Sequence, residues 1–295
     1  MDLTTTVVGS YPSKLEPSFL ERAYHAGKDP FLKSMEQAVK AQVESGVKLV
    51  SDGQTRGDMI SIFARGLRGF RIKERVEIIS KICYKGPITA EDQERVKKLL
   101  PQGVKLKGII TGPWTMANSV KDLYYGSKEE CMFDIADALH KEARVLSGIC
   151  DFIQVDEPFL SMDYHDSVKE AVENVLDVKV KTALHVCGDV GNIARELVEY
   201  DVDILDHEFT DYPSLYGIYG DMGFSQRFAV GVVSTEPHVE KVDVIVERIQ
   251  KVLDTFGPAS MIDPDCGLRN LPEEVARNKL INMVKAREMV LNERG

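Results

Sequence analysis

A histidine and a cysteine stand two positions apart in the stretch Leu184-His185-Val186-Cys187-Gly188. Side chains two positions apart on an extended strand point to the same face, so His185 and Cys187 can reach one metal ion. The pattern is weak by itself, because an isolated His-x-Cys more often belongs to a packed core. Two further candidate ligands, Glu208 and Cys266, follow at the ends of similar stretches later in the chain.

Two thiolates, one imidazole and one carboxylate form a plausible tetrahedral ligand set for Zn²⁺, and sulfur selects against Mg²⁺ and Ca²⁺. A structural zinc site usually takes its cysteines from short C-x-x-C motifs. Here the ligands come from three distant stretches, which favours a catalytic site. His207 is an alternative to Glu208, since adjacent strand residues face opposite ways and only one of the two can point inward. The sequence leaves that choice open.

The chemistry predicted for such a zinc site is activation of a thiol. Free thiols titrate near about 8.5 and are mostly protonated at neutral pH. Binding to zinc removes that proton and leaves a thiolate, which can attack a methyl group. Glu208 is the ligand that an incoming sulfur would displace or weaken most easily, because a carboxylate is a weaker partner for zinc than a thiolate.

The elements that must position these residues are short β-branched stretches that alternate with longer amphipathic ones, which predicts βα units around a buried parallel sheet. The eight predicted strand stretches are Thr4–Ser10, Val47–Gly53, Leu106–Gly112, Phe152–Pro158, Lys181–Gly188, Val202–Phe209, Phe228–Thr235 and Met261–Gly267. The predicted helices lie near residues 32–45, 90–100, 128–147, 166–177, 191–199, 214–220, 240–255 and 272–292. Residues 73–86 interrupt the alternation and are predicted to form an insertion, in the shape of a hairpin.

Eight βα units can close into a barrel or open into a doubly wound sheet, and periodicity does not separate the two. The distribution of polar residues does, because nearly every strand stretch carries one at its carboxyl end: Ser10, Asp52, Thr111, Asp156, Glu157, His185, Cys187, Glu208, Thr235 and Cys266. Only a closed barrel would gather these ends around one pocket. We therefore predict an α/β fold, a (β/α)8 TIM barrel, with residues 1–295 as a single catalytic domain.

The composition excludes several other classes of protein. The 295 residues are 43% hydrophobic and 28% charged, the balance of a globular protein with a sizeable core. A net charge of −10 and the lack of a long Lys/Arg cluster argue against a surface that binds nucleic acid. The sequence has no targeting segment and no apolar run approaching about 18 residues, so we expect a cytoplasmic protein that does not enter a membrane. Five cysteines, an odd number, do not form a secreted disulfide framework.

The motifs together resemble the C-terminal catalytic barrel of the cobalamin-independent methionine synthase family, especially its short stand-alone archaeal members. In their order and spacing the matching segments cover nearly the whole chain. They are Val7-Val8-Gly9-Ser10-Tyr11-Pro12, Gly112-Pro113-Trp114-Thr115, Gln154-Val155-Asp156-Glu157-Pro158, His185-Val186-Cys187, Glu208 and Asp263-Pro264-Asp265-Cys266-Gly267-Leu268. The full-length members carry an additional N-terminal barrel, which we expect to be absent here.

The resemblance implies roles for individual residues. In the family, zinc is bound by the residues that match His185, Cys187, Glu208 and Cys266. The positions of Ser10 and Asp156 help to hold the carboxylate and the ammonium group of homocysteine. An ammonium group at a partly desolvated barrel mouth needs a carboxylate, and Asp156 with Glu157 offers two.

One departure from the family pattern concerns the substrate amine. The second strand of the full-length members ends in His-Gly-Glu, whose glutamate binds the amine, whereas this chain has Asp52-Gly53-Gln54. The neutral Gln54 can accept a hydrogen bond but carries no charge. Either Asp52 or Glu157 is expected to compensate.

The other departures concern the methyl donor. Folate-using members stack a tryptophan on the pterin, but the matching position here is Ser119, and the only tryptophan, Trp114, comes earlier. A histidine of the seventh strand is replaced by Thr235, with His238 nearby. These differences favour a methylated corrinoid, either methylcobalamin or a corrinoid protein, over methyltetrahydrofolate.

The predicted function is zinc-dependent transfer of a methyl group to the thiol of L-homocysteine, which gives methionine. One alternative is a zinc methyltransferase for another thiol, such as coenzyme M, although that thiol has no ammonium group for Asp156 to bind. A non-enzymatic alternative is a scaffold that binds zinc or a corrinoid protein. Polar residues concentrated on one face of a barrel argue against a scaffold.

Overall fold

The computed structural model describes residues 3–13, 23 and 26–294. The described strands are β1 (Thr4–Thr5), β2 (Leu49–Val50), β3 (Leu67–Ile72), β4 (Val76–Tyr84), β5 (Lys105–Thr111), β6 (Lys121–Asp122), β7 (Phe152–Asp156), β8 (Lys181–Val186), β9 (Ile204–His207), β10 (Arg227–Val233) and β11 (Met261–Pro264). Eight of them form one parallel sheet in the order β1-β11-β10-β9-β8-β7-β5-β2. Each of these eight lies within or overlaps one of the predicted strand stretches.

The sheet closes on itself between its first and last strands. Thr6, directly after β1, forms a parallel bridge with Leu49 of β2. The Lys48 N–H donates to the Thr5 carbonyl at 3.2 Å, and the Thr6 hydroxyl donates to the Leu49 carbonyl at 3.0 Å. The structure therefore confirms a (β/α)8 barrel rather than an open doubly wound sheet.

The strands are hydrophobic because both of their faces are covered. All five residues of β7 are buried, and in β5 only Lys105 is exposed. Parallel sheets in α/β proteins are buried in this way, with helices outside and side chains filling the barrel inside. A barrel of this kind directs the carboxyl ends of all eight strands to one mouth.

The described α-helices are α1 (Phe31–Glu44), α2 (Met59–Gly66), α3 (Ala90–Leu99), α4 (Pro113–Ser119), α5 (Lys128–Leu146), α6 (Ser167–Leu176), α7 (Ala194–Leu197), α8 (Leu215–Gly220), α9 (Val242–Phe256) and α10 (Glu273–Arg294). All eight predicted helices are present. The sequence pattern missed α2 and α4. Among the described helices, none has both the length and the apolar character needed to cross a membrane.

The predicted insertion is a hairpin that begins earlier than expected. Strands β3 and β4 pair antiparallel, with Leu67 opposite Tyr84, and β6 adds a third strand beside β4. The hairpin is tied to α5 by the buried carboxylate of Glu142, which accepts hydrogen bonds from the Tyr84 hydroxyl and the Thr89 N–H at 3.0 and 2.8 Å. The sequence hid the first strand because β3 follows α2 without a turn.

A buried ion pair fixes the last helix to the barrel. The Lys279 ammonium of α10 lies 2.7 Å from the Glu240 carboxylate, and both side chains are almost fully buried. Glu240 also accepts hydrogen bonds from the N–H and the hydroxyl of Ser234, directly after β10. Burial alone would raise the pKa of Glu240, but the hydrogen bond from Lys279 and those from the backbone bring it below its usual range.

Removing one partner of this pair should therefore destabilise the fold. We expect Glu240→Gln to lower the free energy of unfolding by about 3 kcal/mol at pH 7, because the Lys279 charge is left buried without a partner. The difference from the wild type should shrink as the pH falls below the usual glutamate range, where the wild-type carboxyl group also becomes neutral. Urea unfolding at several pH values measures this, with the exposed Glu236→Gln as control. A pH-independent difference would contradict the ionic origin.

Candidate metal and substrate site

Three donor atoms from two distant parts of the chain meet at the barrel mouth. His185 lies in β8, Cys187 directly follows that strand, and Cys266 follows β11. His185 Nε2 is 2.8 Å from Cys187 Sγ, which is 3.0 Å from Cys266 Sγ. All three donor atoms lie within 4.8 Å of one another. Curvature of the barrel produces this convergence, since β9 and β10 stand between β8 and β11 in the sheet.

The two cysteines of this cluster are free thiols. The hydrogen bond from Cys187 lowers the pKa of the Cys266 thiol, while the same contact raises the pKa of Cys187. One thiolate is therefore stabilised in a position where a cation can approach it. Two sulfurs and one imidazole nitrogen fit a soft or borderline metal ion. If such an ion were bound at the usual metal–ligand distances, each of these two donor–donor distances would increase by less than about 1 Å.

The alternation of side chains along β9 separates the two residues that the sequence could not rank. His207 points away from the barrel interior, with its ring stacked on Tyr219 at 5.8 Å between centroids. Burial lowers the pKa of His207 to about 4. Glu208 faces the mouth instead, close enough for Cys266 to raise its pKa after the larger effect of burial, but its carboxylate also engages the Gly188 backbone. It lies outside the three-residue cluster.

A cavity of about 290 Å³ opens beside the metal ligands. Besides His185, Cys187 and Cys266, its lining includes three of the predicted substrate residues and one residue that the sequence pattern did not single out: Ser10, Gln54, Asp156 and Arg269. The sequence-predicted residues thus share one pocket, apart from Glu157 and Glu208, which are not among its lining residues.

Asp156 is the buried acid of this cavity. Its side chain is 7% exposed, and Oδ1 accepts a hydrogen bond of 2.6 Å from Gln154. Burial raises the pKa of Asp156 to about 6, although His185, Gln154 and Lys107 act in the opposite direction. A cationic group that reached this carboxylate would replace the solvation it has lost.

Gln54 has an unusual backbone conformation in the loop after β2. Its φ is +47°, and its N–H donates to the Asp52 carboxylate at 2.9 Å. The Gln54 carbonyl accepts a hydrogen bond from the Arg269 guanidinium. Asp52 itself is held by the Gln93 side chain at 3.0 Å and does not line the cavity. The sequence alternative in which Asp52 supplies the missing charge therefore gains no support from its placement.

Glu157 is buried beside Asp156 but faces another element. Its carboxylate accepts hydrogen bonds from the Trp114 and Thr115 N–H groups, at 3.0 and 2.5 Å, and from the Thr115 hydroxyl. These N–H groups belong to the first turn of α4, so Glu157 satisfies the helix N-terminus. Burial raises the pKa of Glu157 to about 7. The structure does not bring its carboxylate to the substrate cavity, in contrast to the prediction of a substrate-binding role.

Sequence reasoning gave no role to several charged residues around the site. Arg269 and Asp58 line the cavity, while Lys107 and Asp206 lie buried in the barrel interior. Lysine and aspartate within otherwise apolar strands were a visible signal, because such residues are rarely buried without a specific role. Arg269 follows Cys266 by three positions and gave no comparable signal.

A (β/α)8 barrel with a His/Cys/Cys cluster and a buried acid at its mouth defines an enzyme class with a candidate metal site. The chain belongs to the family described as the catalytic domain of cobalamin-independent synthases, whose model matches residues 3–289. The sequence-based recognition of this family is confirmed, and the chain is a methyltransferase of the methionine synthase type.

Individual relatives agree over nearly their full lengths. The chain is 39% identical to a methionine synthase of Methanocaldococcus jannaschii, over 98% of this chain and 99% of the relative. It is also 39% identical to a methionine synthase of Methanothermobacter marburgensis, over 96% and 99%. A solved B12-independent methionine synthase from Shewanella sp. W3-18-1, in complex with selenomethionine, has a TM-score of 0.84 at 21% identity, covering 100% of this chain and 99% of that one. The last likeness shows the fold.

The comparisons do not support every predicted feature equally. Family membership excludes the purely scaffolding alternative. The family description names independence from cobalamin, so it lends no support to a corrinoid methyl donor.

The geometry predicts that metal retention depends on both thiols. We expect the purified wild type to hold about one metal ion per chain, and Cys266→Ser and Cys187→Ser to lose nearly all of it, because each removes one of three converging donors. Elemental analysis after gel filtration measures the content. Cys83→Ser, an exposed thiol outside the cluster, should keep wild-type content. Full retention in Cys266→Ser would contradict the site.

Proposed function

We propose that this chain transfers a methyl group to the thiol of L-homocysteine, forming methionine, at a zinc site held by His185, Cys187 and Cys266. The observation that carries the proposal is that these donors and Asp156, a buried carboxylate able to receive an ammonium group, line one cavity. The names of the archaeal relatives and the family match support the same reaction.

In this proposal Glu208 would complete the zinc site, and it would be the ligand that a substrate sulfur displaces or weakens most easily. Side-chain movement is required, because the Glu208 carboxylate engages the Gly188 backbone and lies outside the three-donor cluster. When zinc is bound, it lowers the pKa of a substrate thiol so that the sulfur reacts as a thiolate. His185, Cys187 and Cys266 would hold the reacting centre where they line the cavity.

The cavity offers complementary charges for an amino acid. Asp156 provides the carboxylate for the substrate ammonium, and Gln154 holds that carboxylate in place. Ser10 lines the same cavity and offers a hydroxyl group to the substrate carboxylate. Arg269 adds a half-buried guanidinium that donates one hydrogen bond to the Gln54 carbonyl. A guanidinium has five N–H donors, so others are available for the substrate carboxylate. Glu157 has no part in this arrangement because its carboxylate is engaged by α4.

Asp156 also distinguishes homocysteine from the alternative thiol, coenzyme M. Arg269 would suit a sulfonate as well as a carboxylate, since both are anions. A carboxylate such as Asp156 favours only a thiol with a cationic group, and coenzyme M has none. The proposal therefore predicts that the enzyme selects its thiol substrate by the ammonium group and not by the acidic group.

The substrate assignment predicts a selective loss in Asp156→Asn. This variant should keep its metal, yet bind homocysteine about 30-fold more weakly, because a desolvated charge-assisted contact contributes about 2 kcal/mol. Its affinity for 4-mercaptobutyrate, the homocysteine analogue without the amine, should hardly change.

The measurement is isothermal titration of the wild type and of Asp156→Asn, each with homocysteine and with 4-mercaptobutyrate. Asp163→Asn, a substitution outside the lining of the cavity, provides the control. An unchanged homocysteine Kd in Asp156→Asn, or wild-type preference for coenzyme M, would remove this substrate from the proposal.

For the methyl donor we propose a methylated corrinoid, on the basis of the site rather than of the comparisons. Independence from a resident cobalamin is compatible with a corrinoid consumed as a substrate. Ser119 is exposed, and neither Ser119 nor Thr235 lines the cavity. Neither position therefore offers an aromatic ring on which a pterin could stack. Trp114 donates its indole N–H to the Asp163 carbonyl and is buried. In the reaction, the thiolate sulfur forms a bond to the methyl carbon, cobalt leaves as cobalt(I), and the thiol proton passes to solvent.

A donor comparison tests this part separately. Enzyme and homocysteine are mixed with methylcobalamin or with methyltetrahydrofolate triglutamate, and methionine is measured. We expect at least 10-fold faster turnover with methylcobalamin, because pterin stacking worth about 1–3 kcal/mol has no aromatic partner here. Efficient turnover with the folate and none with methylcobalamin would exclude the corrinoid while leaving the homocysteine site intact.

A further inference from the structure

Three ionisable side chains lie buried inside the barrel, below the candidate metal ligands. Lys107 of β5, Asp206 of β9 and Asp263 of β11 are each at most 2% exposed. None of them lines the substrate cavity, and the proposed reaction has not used them. Charged groups are rarely buried this deeply without a partner or a function.

Asp206 contacts a metal ligand. Its Oδ1 lies 3.1 Å from His185 Nδ1, and both side chains are 1% exposed. Neither atom forms a hydrogen bond with any other group in the described part of the chain. A buried polar atom without a partner costs free energy, so each of these two atoms has the other as its available partner.

Sheet register enforces this contact. His185 and Asp206 are directly opposite each other on the paired strands β8 and β9. Residues paired in this way have side chains on the same face, here the inside of the barrel. The backbone register therefore places the two side chains next to each other.

The orientation of His185 follows from this contact. A neutral imidazole carries one N–H, and the other ring nitrogen is then free to bind a metal. Nδ1 faces the Asp206 carboxylate, which can only accept a hydrogen bond when ionised, whereas Nε2 faces the two cysteine sulfurs. With the proton on Nδ1, the lone pair of Nε2 points into the cluster.

The same carboxylate lies among other buried ionisable groups. Asp206 Oδ2 and both oxygens of Asp263 are buried without a hydrogen-bond partner among the described residues, and Lys107 donates to Gln154 at 2.5 Å. Removing one member of a buried set of charged groups commonly destabilises a fold, because the remaining groups lose a partner. A substitution at Asp206 is therefore assessed by the part of its effect on metal binding that exceeds its effect on stability.

We propose that Asp206 is a positioning residue for the metal site: its carboxylate accepts the Nδ1–H of His185 and thereby aims Nε2 at the metal. The inference deepens the proposed function, because it rests on the same metal site. Partners that orient a ligand histidine in this way commonly alter metal affinity 10- to 100-fold.

The test compares Asp206→Asn and Asp206→Leu in the full chain. The asparagine keeps a weaker acceptor oxygen, and the leucine removes the acceptor at similar volume. Zinc affinity is measured by competition with a chromophoric chelator at fixed pH, and the thermal stability of the metal-free proteins is measured in parallel. We expect about 10-fold weaker zinc binding for asparagine and up to about 100-fold for leucine, in each case more than any loss of metal-free stability accounts for. The cobalt-substituted variants should also have altered d–d absorption bands.

Asp203→Asn is the matched control, since Asp203 directly precedes β9 and bonds Lys181 and Thr182 at the opposite end of the barrel. Its zinc affinity should equal that of the wild type. Wild-type zinc affinity in Asp206→Leu, or a loss that only parallels lower metal-free stability, would overturn the role of Asp206 and leave the metal site standing. A wild-type protein that binds no zinc would overturn both.

Discussion

Closure of the parallel sheet is the constraint on which the site depends. Cys187 and Cys266 are 79 positions apart in sequence, and their sulfurs are 3.0 Å apart. Two strands stand between β8 and β11 in the sheet, so a flat sheet would hold these residues more than 10 Å apart at the usual strand spacing. The bridge between Thr6 and Leu49 completes the curvature that brings the strand ends together. The cluster of candidate metal ligands, the buried Asp156 and the cavity thus all depend on one closed ring of hydrogen-bonded strands.

Register within that ring determines what each side chain does. Along β9, Asp206 faces the interior, His207 faces the aromatic layer of α8, and Glu208 faces the mouth. A shift of one residue would place a histidine inside the barrel and bury an aspartate among aromatic rings. Asp206, His207 and Glu208 can each lie in a suitable environment because successive side chains of a strand point to opposite faces.

The sequence predicted the barrel, its eight strands and the convergence of His185, Cys187 and Cys266, since these depend on local periodicity and on the rule that strand ends share a mouth. It could not choose between His207 and Glu208, because alternation has two possible phases. It placed Glu157 in the substrate site, because a neighbouring carboxylate at a strand end looks equivalent to Asp156 until the helix beginning at Pro113 is seen to occupy it. The contact of Asp206 with His185 depends on register between strands, which a single sequence does not contain.

The pairing of β1 with β11 has a consequence for how the protein is made. Thr4 lies beside Met261, and the Arg287 guanidinium of α10 donates to the Leu3 carbonyl. Strand β1 leaves the ribosome long before β11, so it must wait for β11 before it has both neighbours. Contacts so distant in sequence slow folding and leave strand edges open in the meantime. His185 and Cys187 emerge well before Cys266, so the growing chain presents two of the three converging donors until ring closure adds the third.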